Sequence, residues 1–138
     1  MSHNIKITNS LTRKKELFKP INSKQITMYA CGPTVYDNPH VGNARTLIVF
    51  DILFRVLKLV YRNVKYVRNI TDIDDKIIEA SKKLNKPINE ITKDVSKVFQ
   101  ENCKALNCLE PTNEPKATEH IKEMIEMTKS LITKEFAY

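Results

Sequence analysis

The chain has 138 residues, of which 41% are hydrophobic and 28% are charged. This length allows one modest domain, and the composition is near the average for globular proteins, which argues against a disordered chain. Twenty-three Lys and Arg residues against sixteen Asp and Glu give a formal net charge of +7. The excess favours a polyanionic partner, because phosphate contacts release bound counterions, although lysine-rich codon usage would give the same composition.

Targeting and membrane segments are not recognisable in the sequence. A membrane-spanning helix needs roughly 18 consecutive apolar residues. The longest apolar block, Leu47 to Val60, is interrupted by Asp51, Arg55 and Lys58. The amino terminus, MSHNIKITNS, has neither the apolar core of a secretory signal nor an Arg-rich amphipathic pattern. We therefore expect a cytoplasmic protein without a membrane partner.

The first half of the chain predicts one β–α–β unit. The short apolar run Thr27 to Ala30 ends at the breaker pair Gly32-Pro33 and is typical of a buried strand. From Ala44 to Tyr61 the sequence is apolar nearly all round at helical spacing, which predicts a largely buried helix. A second strand is expected from Val64 to Arg68. A right-handed crossover would make the two strands parallel.

The second half predicts three helices. Asp72 is expected to cap a helix that runs to about Leu84, and a second helix should extend from Ile88 to Leu106 after the breaker Pro87. The stretch CLEPTNEP is expected to be a loop. The last helix, from about Ala117, is predicted from apolar spacing. Its expected apolar face comprises Ile121, Met124, Ile125, Thr128, Leu131 and Ile132.

The loop after the first predicted strand is the candidate binding site. Ligands in open parallel sheets lie beyond the carboxyl ends of the strands, and helix N-termini bind anions through free N–H groups. His40 adds a donor that can carry positive charge, Asn43 adds an amide donor, and Gly42 leaves room for a ligand. Arg45 could neutralise further phosphate charge. Each residue alone suits an ordinary turn, but their combination between a strand and a helix favours nucleotide binding. Neither a dinucleotide fingerprint nor a P-loop is present.

These residues resemble a known family. PHVGNAR is similar to the His-Ile-Gly-His signature of class I aminoacyl-tRNA synthetases. The longer strings MYACGPTVYDNPHVGNART, YVRNITDIDDKIIEAS and KALN…EPKATEHIKEMIEM resemble the cysteinyl-tRNA synthetases over nearly the whole chain. Asn43 stands where the signature has its second His, and its amide can still donate to a phosphate. Val41 replaces Ile without an expected consequence.

The resemblance implies an α/β fold, the Rossmann-like nucleotide-binding fold of class I synthetases, with a parallel sheet flanked by helices and incomplete in this chain. Residues 1–110 would form the N-terminal part of the catalytic domain, and residues 111–138 would begin an inserted connective region. The family's second ATP loop, its other zinc ligands and its anticodon-reading helices are absent from these 138 residues. Because the chain ends at Tyr138 in apolar residues, we expect it to be cut from a longer enzyme. We expect the fragment to be inactive alone. We also expect a monomer.

The implied reaction is the activation of L-cysteine by ATP, with magnesium, to cysteinyl adenylate, followed by transfer to tRNA(Cys). His40 and Asn43 would be the catalytic residues that stabilise phosphate oxygens. The ATP-binding set would be Gly32, Pro33, Thr34, His40, Gly42 and Asn43. The cysteine substrate would contact Thr71 and Gly32.

Zinc is the implied cofactor, and Cys31 would be one of its ligands, with the others beyond Tyr138. Without the resemblance, Cys31 would be interpreted as a buried thiol at a strand end. Zinc prefers thiolate and keeps an open position in working sites, which the substrate thiolate would fill far better than the hydroxyl of serine. A cytoplasmic protein is not expected to build a disulfide framework from its three cysteines. Cys103 and Cys108 are five residues apart in an apparently helical segment, where they cannot share a face neatly, and are interpreted as small apolar fillers.

Several alternatives stay open at the level of sequence. Asp72, Asp74 and Asp75 suit magnesium binding, but helix capping and a solvated first turn explain them as well. His120 is expected to face solvent, and His3 is uninformative. The chain could instead be a non-catalytic tRNA-binding module, or part of a related ligase that joins cysteine to a small-molecule acceptor.

Overall fold

A computed structural model describes residues 4–138, so His3 lies outside the described part. The strands are β1 (Lys6–Asn9), β2 (Lys14–Leu17), β3 (Ile26–Ala30) and β4 (Val64–Arg68). The α-helices are α1 (Val41–Val60), α2 (Asp75–Leu84), α3 (Ile88–Ala105) and α4 (Ile121–Thr133), and a 3₁₀ helix at Ala117–His120 precedes α4. Between residues 4 and 138, no helix combines the length and the apolar character that crossing a membrane requires.

The predicted β–α–β unit is confirmed. β3 pairs with β4 in parallel, from Ile26 opposite Val64 to Ala30 opposite Arg68, and α1 connects them. Alternate residues of β3 are buried and exposed, as expected for a strand with one covered face. The core on the covered face is built from Ile26, Met28, Ala30, Phe54, Leu57 and Tyr66.

A second apolar cluster joins α3 to the carboxyl end of the sheet. Its members are Val35, Leu47, Ile70, Phe99 and Cys103. Cζ of Arg68 lies 4.9 Å from the centroid of the Phe99 ring. Arg68 is on the same side of β4 as Tyr66 and Ile70. Consequently α1 and α3 cover the same face of the sheet, and Tyr29 on the other face is 65% exposed. Within residues 4–138 the sheet is therefore flanked by helices on one side.

The prediction for α1 was wrong in two respects. The helix begins at Val41, three residues before the predicted start at Ala44. It was also expected to be largely buried, whereas Val49 and Ile52 are 56% and 54% exposed and Leu59 is 84% exposed. An all-apolar pattern does not show which neighbours cover a helix, and among the described residues only one side of α1 is packed.

Asp51, one of the few charged residues of α1, is buried. Asp51 is only 9% exposed, and its carboxylate has two hydrogen-bond partners. One oxygen accepts the backbone N–H of Leu109 at 2.8 Å, and the other accepts Nε of Arg55 at 2.7 Å. Arg55 also donates to the carbonyl of Asn107 at 2.6 Å. Asp51 thus fastens the segment after α3 to α1, and its hydrogen bonds offset the cost of burying the charge.

Asp72 does not cap α2, contrary to the prediction. The cap is Asp74, whose carboxylate accepts the N–H of Lys76 at 2.9 Å, and Asp75 lies in the first turn. Asp72 instead accepts the N–H and the hydroxyl of Thr118 at 2.9 and 2.6 Å. The capping explanation is therefore confirmed for Asp74, while Asp72 ties the end of β4 to the start of the last helical region. A magnesium role for these carboxylates stays untested.

The proline-containing loop CLEPTNEP follows β4 instead of leaving the sheet. Arg68 donates its N–H to the carbonyl of Asn113 at 3.2 Å, and Ile70 donates to Pro115 at 2.9 Å. The isolated β-bridges Val67–Asn113 and Ile70–Lys116 are both parallel. The loop therefore acts as a short, irregular third strand beside β4. The predicted domain boundary between residues 110 and 111 lies just before it and stays a prediction.

We predict that Asp51→Ala lowers the free energy of unfolding by about 2–3 kcal/mol, because the buried N–H of Leu109 loses its charged acceptor. Asp94→Ala, at an exposed position of α3, should change it by less than about 0.5 kcal/mol. Urea unfolding followed by circular dichroism measures both. Equal unfolding midpoints for the two variants would contradict the structural role of Asp51.

Candidate functional site

His40 and Asn43 form a reciprocal cap at the start of α1. His40 is the N-cap residue with extended backbone angles, and its Nδ1 accepts the N–H of Gly42 at 3.0 Å. The side-chain oxygen of Asn43 accepts the N–H of His40 at 2.9 Å. Two N–H groups at the helix start are satisfied in this way. The sequence suggested both side chains only as hydrogen-bond donors to phosphate, and the structure shows that each also caps the start of α1.

The cap determines which donors remain for a ligand. Because Nδ1 of His40 accepts a hydrogen bond, the ring hydrogen belongs on Nε2 in this geometry. The oxygen of Asn43 is engaged, which leaves its Nδ2 amide as the outward donor. Neither His40 Nε2 nor Asn43 Nδ2 has a partner among the described residues. Two side-chain donors therefore stand at the positive end of a 20-residue helix.

A cavity of about 260 Å³ lies between this cap, the loop after β3 and α3. Five of the six predicted ATP-binding residues line it, namely Gly32, Pro33, Thr34, His40 and Asn43. The sixth, Gly42, does not line it, and its N–H is engaged by the imidazole. Arg45 is exposed and does not line the cavity either. An adjoining cavity of about 100 Å³ shares Gly32, Pro33 and Asn43 and adds Cys31.

Gly32 is the point where the loop approaches β4 most closely. A Cβ atom at this position would lie 1.5 Å from the carbonyl oxygen of Asn69, so only glycine fits. Its N–H donates to the side-chain oxygen of Asn69 at 2.9 Å. Beyond it, Thr71 donates its N–H to the carbonyl of Pro33 at 3.0 Å and accepts the N–H of Val35 at 3.1 Å. These bonds hold one wall of the cavity against the end of β4.

Asn69 is a site residue that the sequence did not reveal. Its oxygen accepts the hydroxyl of Tyr29 at 2.9 Å as well as the N–H of Gly32, and its amide donates to Oγ1 of Thr71 at 2.9 Å. Its position at the end of the second parallel strand was the available signal. Thr71 lines neither of the two cavities, and Asn69 connects it to Gly32.

Comparison with known proteins adds to this geometry. Residues 17–138 match the family described as the tRNA synthetases class I (C) catalytic domain. The chain belongs to this family. It is also similar to proteins named cysteine–tRNA ligase from several bacteria.

The chain spans about 30% of the length of these relatives. It is 55% identical to the protein of Pelagibacter ubique over 140 residues, which cover 100% of the chain and 31% of the relative. It is 54% identical to that of Wolbachia pipientis, covering 97% of the chain and 29% of the relative. It is 54% identical to that of Rickettsia bellii, covering 97% of the chain and 30% of the relative. The class I synthetase fold expected from the sequence is thereby confirmed.

Cys31 is exposed, so its interpretation from the sequence alone as a buried thiol was wrong. Strand alternation puts it on the side opposite Ala30, where no described helix covers the sheet. Its thiol donates a hydrogen bond to the carbonyl of Gly32 at 3.6 Å. In the part of the chain that the structure describes, no three His, Cys, Asp or Glu side chains are grouped to hold a metal. Cys31 is suited to be one zinc ligand, but these residues do not form a zinc site by themselves.

The other two cysteines are structural, as predicted. Cys103 is buried in the second apolar cluster, and Cys108 packs against it. Burial raises the pKa of both thiols above the ordinary value. A cavity of about 260 Å³ beside them is lined in part by Arg68 and Glu114, which form an ion pair at 2.6 Å. This cavity holds none of the predicted site residues.

We predict that Gly32→Ala lowers the free energy of unfolding by about 3 kcal/mol or more, because its methyl group would overlap the backbone carbonyl of Asn69. Gly42→Ala is the matched control. There the new methyl would lie 2.8 Å from Cε1 of His40, a side chain that can rotate away, so the change should stay within about 1 kcal/mol. Chemical unfolding compares them. Similar losses in both variants would argue against the close approach at Gly32.

We also predict an order of thiol alkylation. At pH 7.5, iodoacetamide should modify Cys31 first, because it is exposed, and Cys103 last, because burial restricts access and its raised pKa keeps the thiol protonated. Both sites should react at similar rates in guanidinium chloride. Peptide mass spectrometry over time gives the order. Faster modification of Cys103 in the folded chain would contradict the described packing.

Proposed function

We propose that the chain forms the ATP-binding part of an enzyme that activates L-cysteine and transfers it to tRNA(Cys). The observation that carries the proposal is the cap of α1, whose two outward donors, His40 Nε2 and Asn43 Nδ2, border a cavity at a helix N-terminus. The similarity to proteins named cysteine–tRNA ligase supports the choice of amino acid and acceptor. The protein would act as a cytoplasmic monomer.

The proposed chemistry is adenylate formation. The carboxylate of cysteine attacks the α-phosphorus of magnesium-bound ATP, the bond to the β-phosphate breaks, and pyrophosphate leaves. Negative charge on the phosphate oxygens would be stabilised by His40 Nε2, Asn43 Nδ2 and the dipole of α1. Because both donors are held by the cap before ATP arrives, little reorganisation is needed in the transition state.

The loop Gly32-Pro33-Thr34 would form the wall against which the nucleotide lies. The N–H of Gly32 already donates to Asn69, so we assign Gly32 a role in allowing close approach instead of donating a hydrogen bond to the substrate. Thr71 would help to hold the amino acid indirectly, because its backbone is hydrogen-bonded to Pro33 and Val35 of this loop. Asn69 links the hydroxyl of Thr71 to Gly32.

Zinc is a proposal for the longer protein. Cys31 would supply one thiolate, which suits zinc, and the remaining ligands would come from regions that the relatives contain and this chain does not span. We further propose that residues 1–110 belong to the catalytic domain and that residues 111–138 begin a connective region. The second ATP-binding loop would likewise lie outside these 138 residues.

The test uses cysteine-dependent ATP–pyrophosphate exchange by the protein expressed from its complete reading frame. We predict that His40→Asn lowers the exchange rate about 100-fold, because asparagine preserves the cap but lacks a donor in the place of Nε2. Its unfolding midpoint should stay close to that of the parent protein. His120→Asn, at an exposed position, should leave the exchange rate unchanged.

Two results would contradict the proposal. The first is absence of cysteine-dependent exchange in the parent protein, and the second is full exchange activity in His40→Asn. The 138-residue chain alone is expected to show no exchange, because it spans about 30% of the length of its relatives. Measurable exchange by that chain alone would refute the assignment of a second ATP loop to another region.

A further inference from the structure

The net charge of the chain is concentrated in a short segment. Residues 4–25, here called the basic hairpin, contain six of the 23 basic residues and one of the 16 acidic residues. They therefore carry +5 of the net charge of +7. Residues 26–138 contain 17 basic and 15 acidic residues and are therefore nearly neutral, although lysines occur throughout them. The segment is a distinct positive surface.

The backbone arranges this surface as a two-stranded ribbon. β1 and β2 pair antiparallel, with Lys6 opposite Leu17 and Thr8 opposite Lys15, and all four side chains are exposed on one face. This hairpin was not predicted, because the run Lys-Lys-Glu-Leu lacks the apolar alternation of a strand. The opposite side is anchored, since Ile5 and Phe18 pack against the main apolar core.

The hairpin cations are not neutralised by the protein. Within residues 4–138, no carboxylate lies within 4 Å of Lys6, Arg13, Lys14, Lys15, Lys19 or Lys24. The single carboxylate, Glu16, points away from the Lys6 face, because it pairs opposite Ile7. Hydrogen bonds from Thr12 and Asn9 hold the pKa of Glu16 below its ordinary value. The outer face, with Lys6, Thr8, Lys15 and Leu17, consequently carries cations and no carboxylate.

The basic hairpin lies far from the nucleotide cavity. Phe18 contacts Tyr61, the residue that follows α1, with ring centroids 6.2 Å apart. His40 precedes the other end of this 20-residue helix, and a helix of that length spans about 30 Å. The hairpin therefore cannot share a small ligand with the cavity. An extended polyanion is the kind of ligand that fits a separate charged ribbon.

We propose that the basic hairpin binds the phosphate backbone of double-helical RNA, and that this RNA is the tRNA to which the amino acid is transferred. The identity of the RNA rests on the proposed function. Phe18 is the only aromatic residue of the segment and it faces the core, so the ribbon offers no platform on which unpaired bases could stack. The lysines would contact phosphates without reading sequence, in the manner of shape-directed binding to RNA helices.

An anionic membrane fits this surface less well. Insertion into the interface needs a continuous apolar face beside the basic residues. The exposed apolar residues of the hairpin are Leu11, Leu17 and Ile21, and basic residues separate each from the next. The positive ribbon therefore suits a rigid, regularly charged helix better than a lipid surface.

The test compares two triple variants of the full chain in filter binding to tRNA at several salt concentrations. The first carries Lys6→Gln, Lys15→Gln and Lys19→Gln. The control carries Lys82→Gln, Lys83→Gln and Lys93→Gln, three exposed lysines of α2 and α3, so that both lose the same charge. We expect the hairpin variant to bind at least about 10-fold more weakly, with a log–log salt slope smaller by about 2–3. The control should stay within about twofold.

Equal weakening in both variants would overturn the proposal, because it would show binding by net charge alone. Unchanged binding by the hairpin variant would also overturn it. Stronger, hairpin-dependent binding to phosphatidylserine vesicles than to tRNA would assign the surface to a membrane instead. In the complete protein, ATP–pyrophosphate exchange does not involve tRNA and should be unaffected by the hairpin changes. A parent protein without exchange but with hairpin-dependent tRNA binding would refute the proposed function alone.

Discussion

The close approach of Gly32 to the backbone of Asn69 is the constraint on which the site depends. Because no side chain intervenes, the loop after β3 continues alongside the end of β4 and stays hydrogen-bonded to Thr71. The loop thereby reaches the start of α1 with its backbone fixed on one side. That contact therefore fixes the position of the loop that lines the candidate cavity.

One set of hydrogen bonds at the cap of α1 both closes the helix start and orients two side-chain donors. His40 uses Nδ1 to hold the helix start, which leaves Nε2 as its donor. Asn43 uses its oxygen for the same purpose and presents its amide. A histidine in place of Asn43 would present a ring nitrogen instead of an amide, so the departure from the family signature keeps a donor at this point. Two side-chain donors are therefore already oriented at the N-terminus of α1.

The sequence predicted the elements whose pattern is local, and it missed the contacts that join distant residues. β4 was predicted to the residue, and β3 and α3 nearly so, since alternation and breakers define them. Burial of Asp51 depends on Leu109, 58 residues away, and the role of Asp72 depends on Thr118. Asn69 was missed for the same reason. The candidate site was located by strand–loop–helix order and by family resemblance, but its hydrogen bonds required the fold.

We propose that the loop at residues 32–43 is a preformed phosphate-binding site. The most direct measurement is a titration of the ¹⁵N-labelled chain with a non-hydrolysable ATP analogue, followed by NMR of backbone amides and of the His40 ring. We predict the largest shifts at Gly32, Thr34 and Asn43, with the hydrogen of His40 on Nε2 both before and after binding. Shifts confined to the basic hairpin, or a His40 ring protonated on Nδ1 in the free chain, would contradict the account.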